Sequence, residues 1–168
     1  GEVVAAAGHL LRALQPHEIN PEVKRWSSAT LPILPDELTL KVGEDDYVQR
    51  AWAKIADAVE GADHIVIATD ADREGSVIGW EILEHLGFSG PIERLMLDAL
   101  DDKSVNKALE KMRQTPNSAE SDYAVYLEGR ARSYEDYCAW SSFTRAATLH
   151  IRGTAAPEHD KPLSVGGV

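Results

Sequence analysis

The chain has 168 residues and a formal net charge of −11, with one cysteine. That length fits one domain, or one domain plus part of another. The charge excludes nucleic-acid binding by bulk electrostatics, which needs a basic face, so any DNA contact must be local or metal-assisted. Cys138 cannot form an internal disulfide, and it sits among helical residues as a small buried hydrophobe expected of a reducing cytoplasm. No apolar run reaches membrane-spanning length and no signal peptide is visible.

The chain opens on Gly1-Glu2-Val3-Val4-Ala5-Ala6-Ala7, without an initiator Met, and reads as a strand over 3–7 running into Gly8-His9-Leu10. Pro16, Pro21, Pro32 and Pro35 then forbid long regular structure, predicting an ordered loop anchored by Trp26, Leu31, Ile33 and Leu34. Over 47–59 the apolar residues Val48, Ala51, Trp52, Ile55 and Val59 recur at three and four, an amphipathic helix. Residues 65–68 are continuously apolar, as in a strand covered on both faces.

Directly behind that strand stands Thr69-Asp70-Ala71-Asp72-Arg73-Glu74-Gly75. Residues two apart on an extended segment point to one side, so Asp70, Asp72 and Glu74 converge if the strand persists that far. Converging carboxylates are relieved by a proton or by a hard divalent ion, and an all-oxygen set favours Mg²⁺ or Mn²⁺ over Zn²⁺. The competing reading is an acidic cluster that caps its own helix. From Gly75 the residues Val77, Ile78, Trp80, Ile82, Leu83 and Leu86 fall at helical spacing and stop at Gly87. The helix N-terminus would present amide N–H groups where phosphate settles, and Arg73 could clamp that phosphate.

A short strand over 92–97 and a helix over 103–112 follow, so strands alternate with helices and pair in parallel: an α/β fold. From Asp122 onward the pattern becomes one long helix. The shift after Pro116-Asn117-Ser118 marks a domain boundary, and the close on Leu163-Ser164-Val165-Gly166-Gly167-Val168, without helix stop or polar tail, predicts a piece of a longer protein.

The string 69–75, with Ile78, Trp80 and Glu81, resembles the second metal motif of a Toprim domain in the version carried by type IA DNA topoisomerases. Gly8-His9-Leu10-Leu11, Lys24-Arg25-Trp26, Leu31-Pro32-Ile33-Leu34-Pro35, Ala131-Arg132 with Asp136, Thr144-Arg145-Ala146 and Leu163-Ser164-Val165-Gly166 stand in that family's order and resemble its topoisomerase III branch.

The resemblance implies a Toprim-type, Rossmann-like parallel sheet flanked by helices over 1–116, lacking its first strand, and the beginning of a mainly helical DNA-binding domain over 117–168. It implies a Mg²⁺-dependent enzyme, with Mn²⁺ as a substitute, that cleaves one DNA strand through a 5′-phosphotyrosine, passes a strand and reseals. Asp70, Asp72 and Glu74 would be the metal triad and Arg73 and Glu74 catalytic. His9, Arg145, Arg152, Ser164, Val165, Gly166 and Val168 would lie along preferentially single-stranded DNA. His9 could equally be satisfied within its loop, and Arg145 and Arg152, seven apart on one helix face, could instead pair with Glu128, Glu135 or Asp136.

The implied protein is a monomer of the bacterial cytoplasm, divergent or plasmid-borne, whose nucleophilic tyrosine belongs to the rest of its chain. Four of the five tyrosines here form one helical stripe and read as packing. Gly167, Trp140 and Ser142 depart from the family's usual Arg, Gly and Asn. Two rivals share the acidic triad: another Toprim enzyme, such as a primase or an overcoming-lysogenization-type nuclease, and an inactive remnant serving as a binding module.

Overall fold

The computed structural model describes residues 1–6, 8–97, 99–115 and 118–154, with backbone alone for 152–154. In chain order it contains β1 (Leu11–Ala13), α1 (Pro16–Ile19), two 3₁₀ turns (Pro21–Lys24 and Ser28–Thr30), β2 (Leu40–Val42), α2 (Asp46–Glu60), β3 (Ile65–Ile67), α3 (Arg73–Leu86), β4 (Ile92–Arg94), α4 (Asp102–Gln114) and α5 (Ser118–Thr154). The fold is α/β, with helices against a parallel strand pair and a long helix at the end. The chain divides into two compact units, one of 1–12 with 40–131 and one of 13–39 with 132–168.

In the first unit β3 and β4 run parallel, Ile65 opposite Ile92 and Ile67 opposite Arg94. The pairing is resumed past the strand ends by a parallel bridge from Asp70 to Leu97. α3 buries one face on Ile67, with Val77, Trp80 and Leu83 joined by Ala119 and Tyr126 of α5. Its other apolar stripe, through Ile82, meets Ile55 of α2 and Leu10. Helix α3 ends where the periodicity predicts, at Gly87, whose φ of 68° closes the last turn in the left-handed region.

Three expectations are corrected in this unit. Residues 1–6 form no strand, and Val3 is 96% exposed; the strand follows Gly8 instead, because Leu10 and Leu11 are the residues that reach the core. Strand β3 is not covered on both faces among the described residues: Ile67 is buried while Val66 is 39% exposed. An apolar triplet is equally compatible with either arrangement, since β-branched residues suit a half-buried pleat. Helix α3 begins at Arg73 rather than Gly75, because Asp72 caps it.

Two glycines of α3 let it approach. A Cβ on Gly79 would lie 2.5 Å from Cγ2 of Ile67, and one on Gly75 would lie 2.2 Å from the carbonyl oxygen of Asp70. Both needs are steric, not conformational.

In the second unit the proline-rich segment is ordered, as expected, but as short helical turns tied to α5. Its prolines remove backbone donors, and its carbonyls find side-chain partners instead. Tyr134 donates to the Pro35 carbonyl (2.7 Å) and Tyr137 to that of Leu14 (2.9 Å), while the Ile33 amide donates to Ser142 Oγ (3.0 Å). Ile33 is buried, whereas Leu34 is 64% exposed and does not anchor. Cys138 is buried, as the sequence indicates.

Candidate functional site

The acidic string occupies the turn between β3 and α3, at the carboxyl end of a parallel strand, where ligands of open α/β sheets settle. Asp72 is the N-cap: its Oδ1 accepts from the Gly75 amide at 2.7 Å, satisfying one of the helix's orphan donors. The Thr69 hydroxyl donates to the Gly75 carbonyl at 2.6 Å and closes the loop from the other side.

This capping changes the geometry anticipated from alternation. Strand β3 stops at Ile67, Asp72 turns the chain, and Glu74 stands in the first turn of α3. Asp70, Asp72 and Glu74 are all exposed, and among the described residues no three His, Cys, Asp or Glu side chains gather into a ready metal cage. The capping reading and the metal reading therefore share one segment. The donor chemistry still suits Mg²⁺, which keeps several waters and binds through one or two carboxylates plus phosphate oxygens rather than in an all-protein cage. Arg73 is half-exposed, its Nη1 4.0 Å from Glu128 Oε1.

Gly8, with φ 89°, turns the chain ahead of His9. His9 Nε2 lies 3.6 Å from Glu74 Oε1 and its Nδ1 3.9 Å from Oε2 of the buried Glu81. The imidazole thus lies beside the acidic loop, with carboxylates for neighbours. Glu81 first, and Glu74 more weakly, hold its pKa above 6.5 against the opposing effect of burial. A raised pKa means that the pairing stabilises the fold fully below the unfolded-state value and is lost as pH rises through the folded-state value. The His9 imidazole resonances are expected to titrate with a midpoint above 6.5, and Glu81→Gln should return that midpoint towards the ordinary value. An unchanged midpoint in Glu81→Gln would remove Glu81 as the cause.

The support of the loop comes from residues that motif reading did not single out for function. Arg94 on β4 is 2% exposed. Its Nη1 donates to the carbonyls of Ile67 (3.2 Å), Thr69 (2.8 Å) and Leu95 (3.1 Å), and its Nη2 donates to that of Asp70 (2.6 Å). Its Nε donates to Asp122 Oδ1 on α5 at 3.0 Å. Asp122 also accepts from the Ser76 hydroxyl (2.7 Å) and from Trp80 Nε1 (2.8 Å). The available signal was an arginine placed directly before the apolar run Leu95-Met96-Leu97, and an aspartate inside the packing face of a long helix.

Tyr123, Tyr126, Tyr134 and Tyr137 donate hydrogen bonds within the chain, whereas Tyr47 is 55% exposed. Tyr123 and Tyr126 donate to Glu84 (2.7 and 2.6 Å), and burial together with Glu84 raises the pKa of Tyr126 far above the phenol range. In the second unit, Arg145 is 7% exposed, donates to the Val23 carbonyl at 2.8 Å and lies 5.2 Å over the Trp26 ring. Burial lowers its pKa. The carboxylate pairing considered for it is not what holds it. Trp140 is 53% exposed. The side chain of Arg152, and Ser164, Val165, Gly166, Gly167 and Val168, lie outside the described residues.

A Toprim domain model matches residues 1–116. The chain is similar to DNA topoisomerase 1 of Alkalihalophilus pseudofirmus, 30% identical over 168 residues, covering 99% of this chain and 23% of that protein. It is also similar to DNA topoisomerase 3 of Staphylococcus epidermidis, 30% identical over 166 residues (99% of this chain, 22% of that protein). DNA topoisomerase 3 of Bacillus subtilis is 32% identical over 146 residues (87% and 20%). The chain thus spans 20 to 23% of the length of these curated relatives.

Proposed function

Because the chain belongs to the Toprim domain family, we propose that it supplies the acidic metal site of a type IA DNA topoisomerase resembling topoisomerase III. The observation that carries this reading is the place of the 70–75 loop, at the carboxyl end of a parallel strand and the start of α3, in a chain whose named relatives are DNA topoisomerases. In this reading 1–116 is the Toprim domain and 117–168 begins a helical DNA-binding domain. The whole protein works as a monomer in a bacterial cytoplasm and prefers single-stranded DNA.

Asp70, Asp72 and Glu74 would hold Mg²⁺, or Mn²⁺ in its place. The ion supplies charge neutralisation and positioning of the scissile phosphate, which is where catalysis of phosphoryl transfer lies. The chain's own residues do the rest. Asp72 keeps α3 capped, so the amide dipoles of its first turn face the phosphate path. Arg73 and His9 flank the carboxylates, Arg73 as a charge-assisted donor to phosphate oxygens and His9 as a donor whose protonated form Glu81 favours. In this reading Arg152, Ser164, Val165, Gly166 and Val168 contact the DNA strand, whereas Arg145, expected there too, is buried and committed to the Val23 carbonyl and the Trp26 ring. The nucleophilic tyrosine is assigned to another part of the protein, as the resemblance implies; Tyr123, Tyr126, Tyr134 and Tyr137 are committed to internal hydrogen bonds.

The intact protein is expected to relax negatively supercoiled plasmid containing single-stranded regions only with Mg²⁺ or Mn²⁺, and to lose that activity in Asp70→Ala with Asp72→Ala. Linear product would assign the site to a nuclease. A folded protein that leaves the plasmid unchanged would make it an inactive remnant.

A further inference from the structure

We propose that Arg94 and Asp122 are positioning residues for the acidic loop: Asp122 fixes the Arg94 guanidinium, and the guanidinium holds the backbone from which Asp70 and Asp72 project. The metal part of this inference rests on the reading of 70–74 as a Mg²⁺ site; the positioning part stands on geometry alone.

Four features carry it. Strand β3 ends at Ile67, and the pairing with β4 resumes only at the Asp70 to Leu97 bridge, so the ladder does not fix the loop between them. Arg94 spans this gap: its Nη1 and Nη2 donate to Ile67, Thr69 and Asp70 in succession. Second, a guanidinium is a rigid planar fork, so fixing its Nε fixes the direction of its other donors. Asp122 does this with the same oxygen that takes the Ser76 hydroxyl, while its second oxygen takes Trp80 Nε1. Third, Ser76 also lies 3.1 Å from the carbonyl of Asp72, so the hub reaches the loop from both of its ends.

The fourth feature is that packing on this side is sparse among the described residues. Helix α4 has no buried residue, and a cavity of about 340 Å³ lies between it, β4 and α5, lined by Met96, Met112 and Val125 among others. With both partners all but inaccessible, 1% and 4% exposed at the side chain, the pair is strongly coupled and poorly screened.

The test uses this chain in two readouts. In the metal-free state, amide hydrogen exchange at 69–75 measures whether the loop is held. In a Mg²⁺ titration followed by amide resonances, the midpoint measures whether the carboxylates are placed. Arg94→Lys keeps the charge facing Asp122 but loses the fork, and Asp122→Asn keeps the shape but loses the ion pair. Both are expected to speed exchange at 69–75 and to raise the midpoint by about 10-fold or more, as when outer residues that orient metal ligands are lost.

The control is Arg130→Gln, which breaks the Arg130–Glu84 pair (2.8 Å) elsewhere in the same unit. It should lower the melting temperature while leaving loop exchange and midpoint as in the native chain. If Arg94→Lys does not fold, Ser76→Ala, which removes one of three donors to Asp122, carries the same comparison. Native-like exchange at 69–75 in the folded variants overturns the inference. A native chain whose spectrum ignores Mg²⁺ overturns the metal reading instead, and the exchange comparison still decides the positioning role.

Discussion

Gly75→Ala is expected to dislodge the acidic loop and to abolish Mg²⁺-dependent shifts at 70–75, while the chain remains folded. In a helix interior the change should favour folding by about 1 kcal/mol, since alanine is the better helix former. Here the added Cβ would sit 2.2 Å from the Asp70 carbonyl oxygen and 2.9 Å from its carbon and nitrogen. All three are backbone atoms, so no rotamer change relieves the clash. The same carbonyl accepts from Arg94 Nη2 at 2.6 Å, so moving it away from the new methyl disturbs that bond. Overpacking of this kind costs about 1–3 kcal/mol, which outweighs the helical gain. Gly79→Ala supplies the comparison. Its Cβ would meet the Cγ2 methyl and Cγ1 of the buried Ile67, side-chain atoms in the core and not loop backbone, so a loss of stability without displacement of the acidic loop is expected. Melting temperatures and amide spectra of the two variants measure both effects; a Gly75→Ala spectrum identical to the native one at 69–74 would refute the close approach.

Asp122→Ala should be the most destabilising single change in the first unit. It strands a guanidinium that is 1% exposed and leaves Trp80 Nε1 without its acceptor. Breaking a buried pair by removing one partner costs about 3–5 kcal/mol, against about 0–1 kcal/mol for an exposed one. The exposed pair Arg132–Asp136, with both side chains more than 60% exposed, is the internal reference. For a chain of this size the difference is a fall in melting temperature on the order of 10 °C for Asp122→Ala and little for Asp136→Ala. Equal shifts would mean that the buried pair is not what joins α5 to the strands.

The contrast between these residues and the motif explains what could be read from the chain alone. The periodicities of α2 and α3 were legible because each helix has one apolar stripe and a clear stop, and the 65–68 run marked β3 within a residue of its end. Strands β1 (Leu-Arg-Ala) and β2 (Leu-Lys-Val) are each broken by a basic residue and carry no continuous apolar run like that of β3, and so β2 was invisible and β1 was placed several residues early. The acidic string was legible as chemistry and not as geometry: alternation is a property of strands, and the Asp72 cap converts the segment to helix two residues sooner. Arg94 and Asp122 were hidden because their meaning lies in a contact 28 residues apart in sequence. His9 and Glu81 became neighbours for the same reason. A buried arginine such as Arg145, stacked on Trp26 and bonded to a carbonyl, looks in sequence like any basic residue on a helix face.

The central claim is that Asp70, Asp72 and Glu74 form a site for a hydrated divalent ion. Titrating Mg²⁺ into this chain and following its amide resonances tests it most directly. Saturable shifts confined to 69–75 and to His9, lost in Asp70→Ala with Asp72→Ala, are the predicted result. Resonances at 69–75 that do not move with Mg²⁺ in the folded native chain would contradict it and leave the string as a helix cap alone.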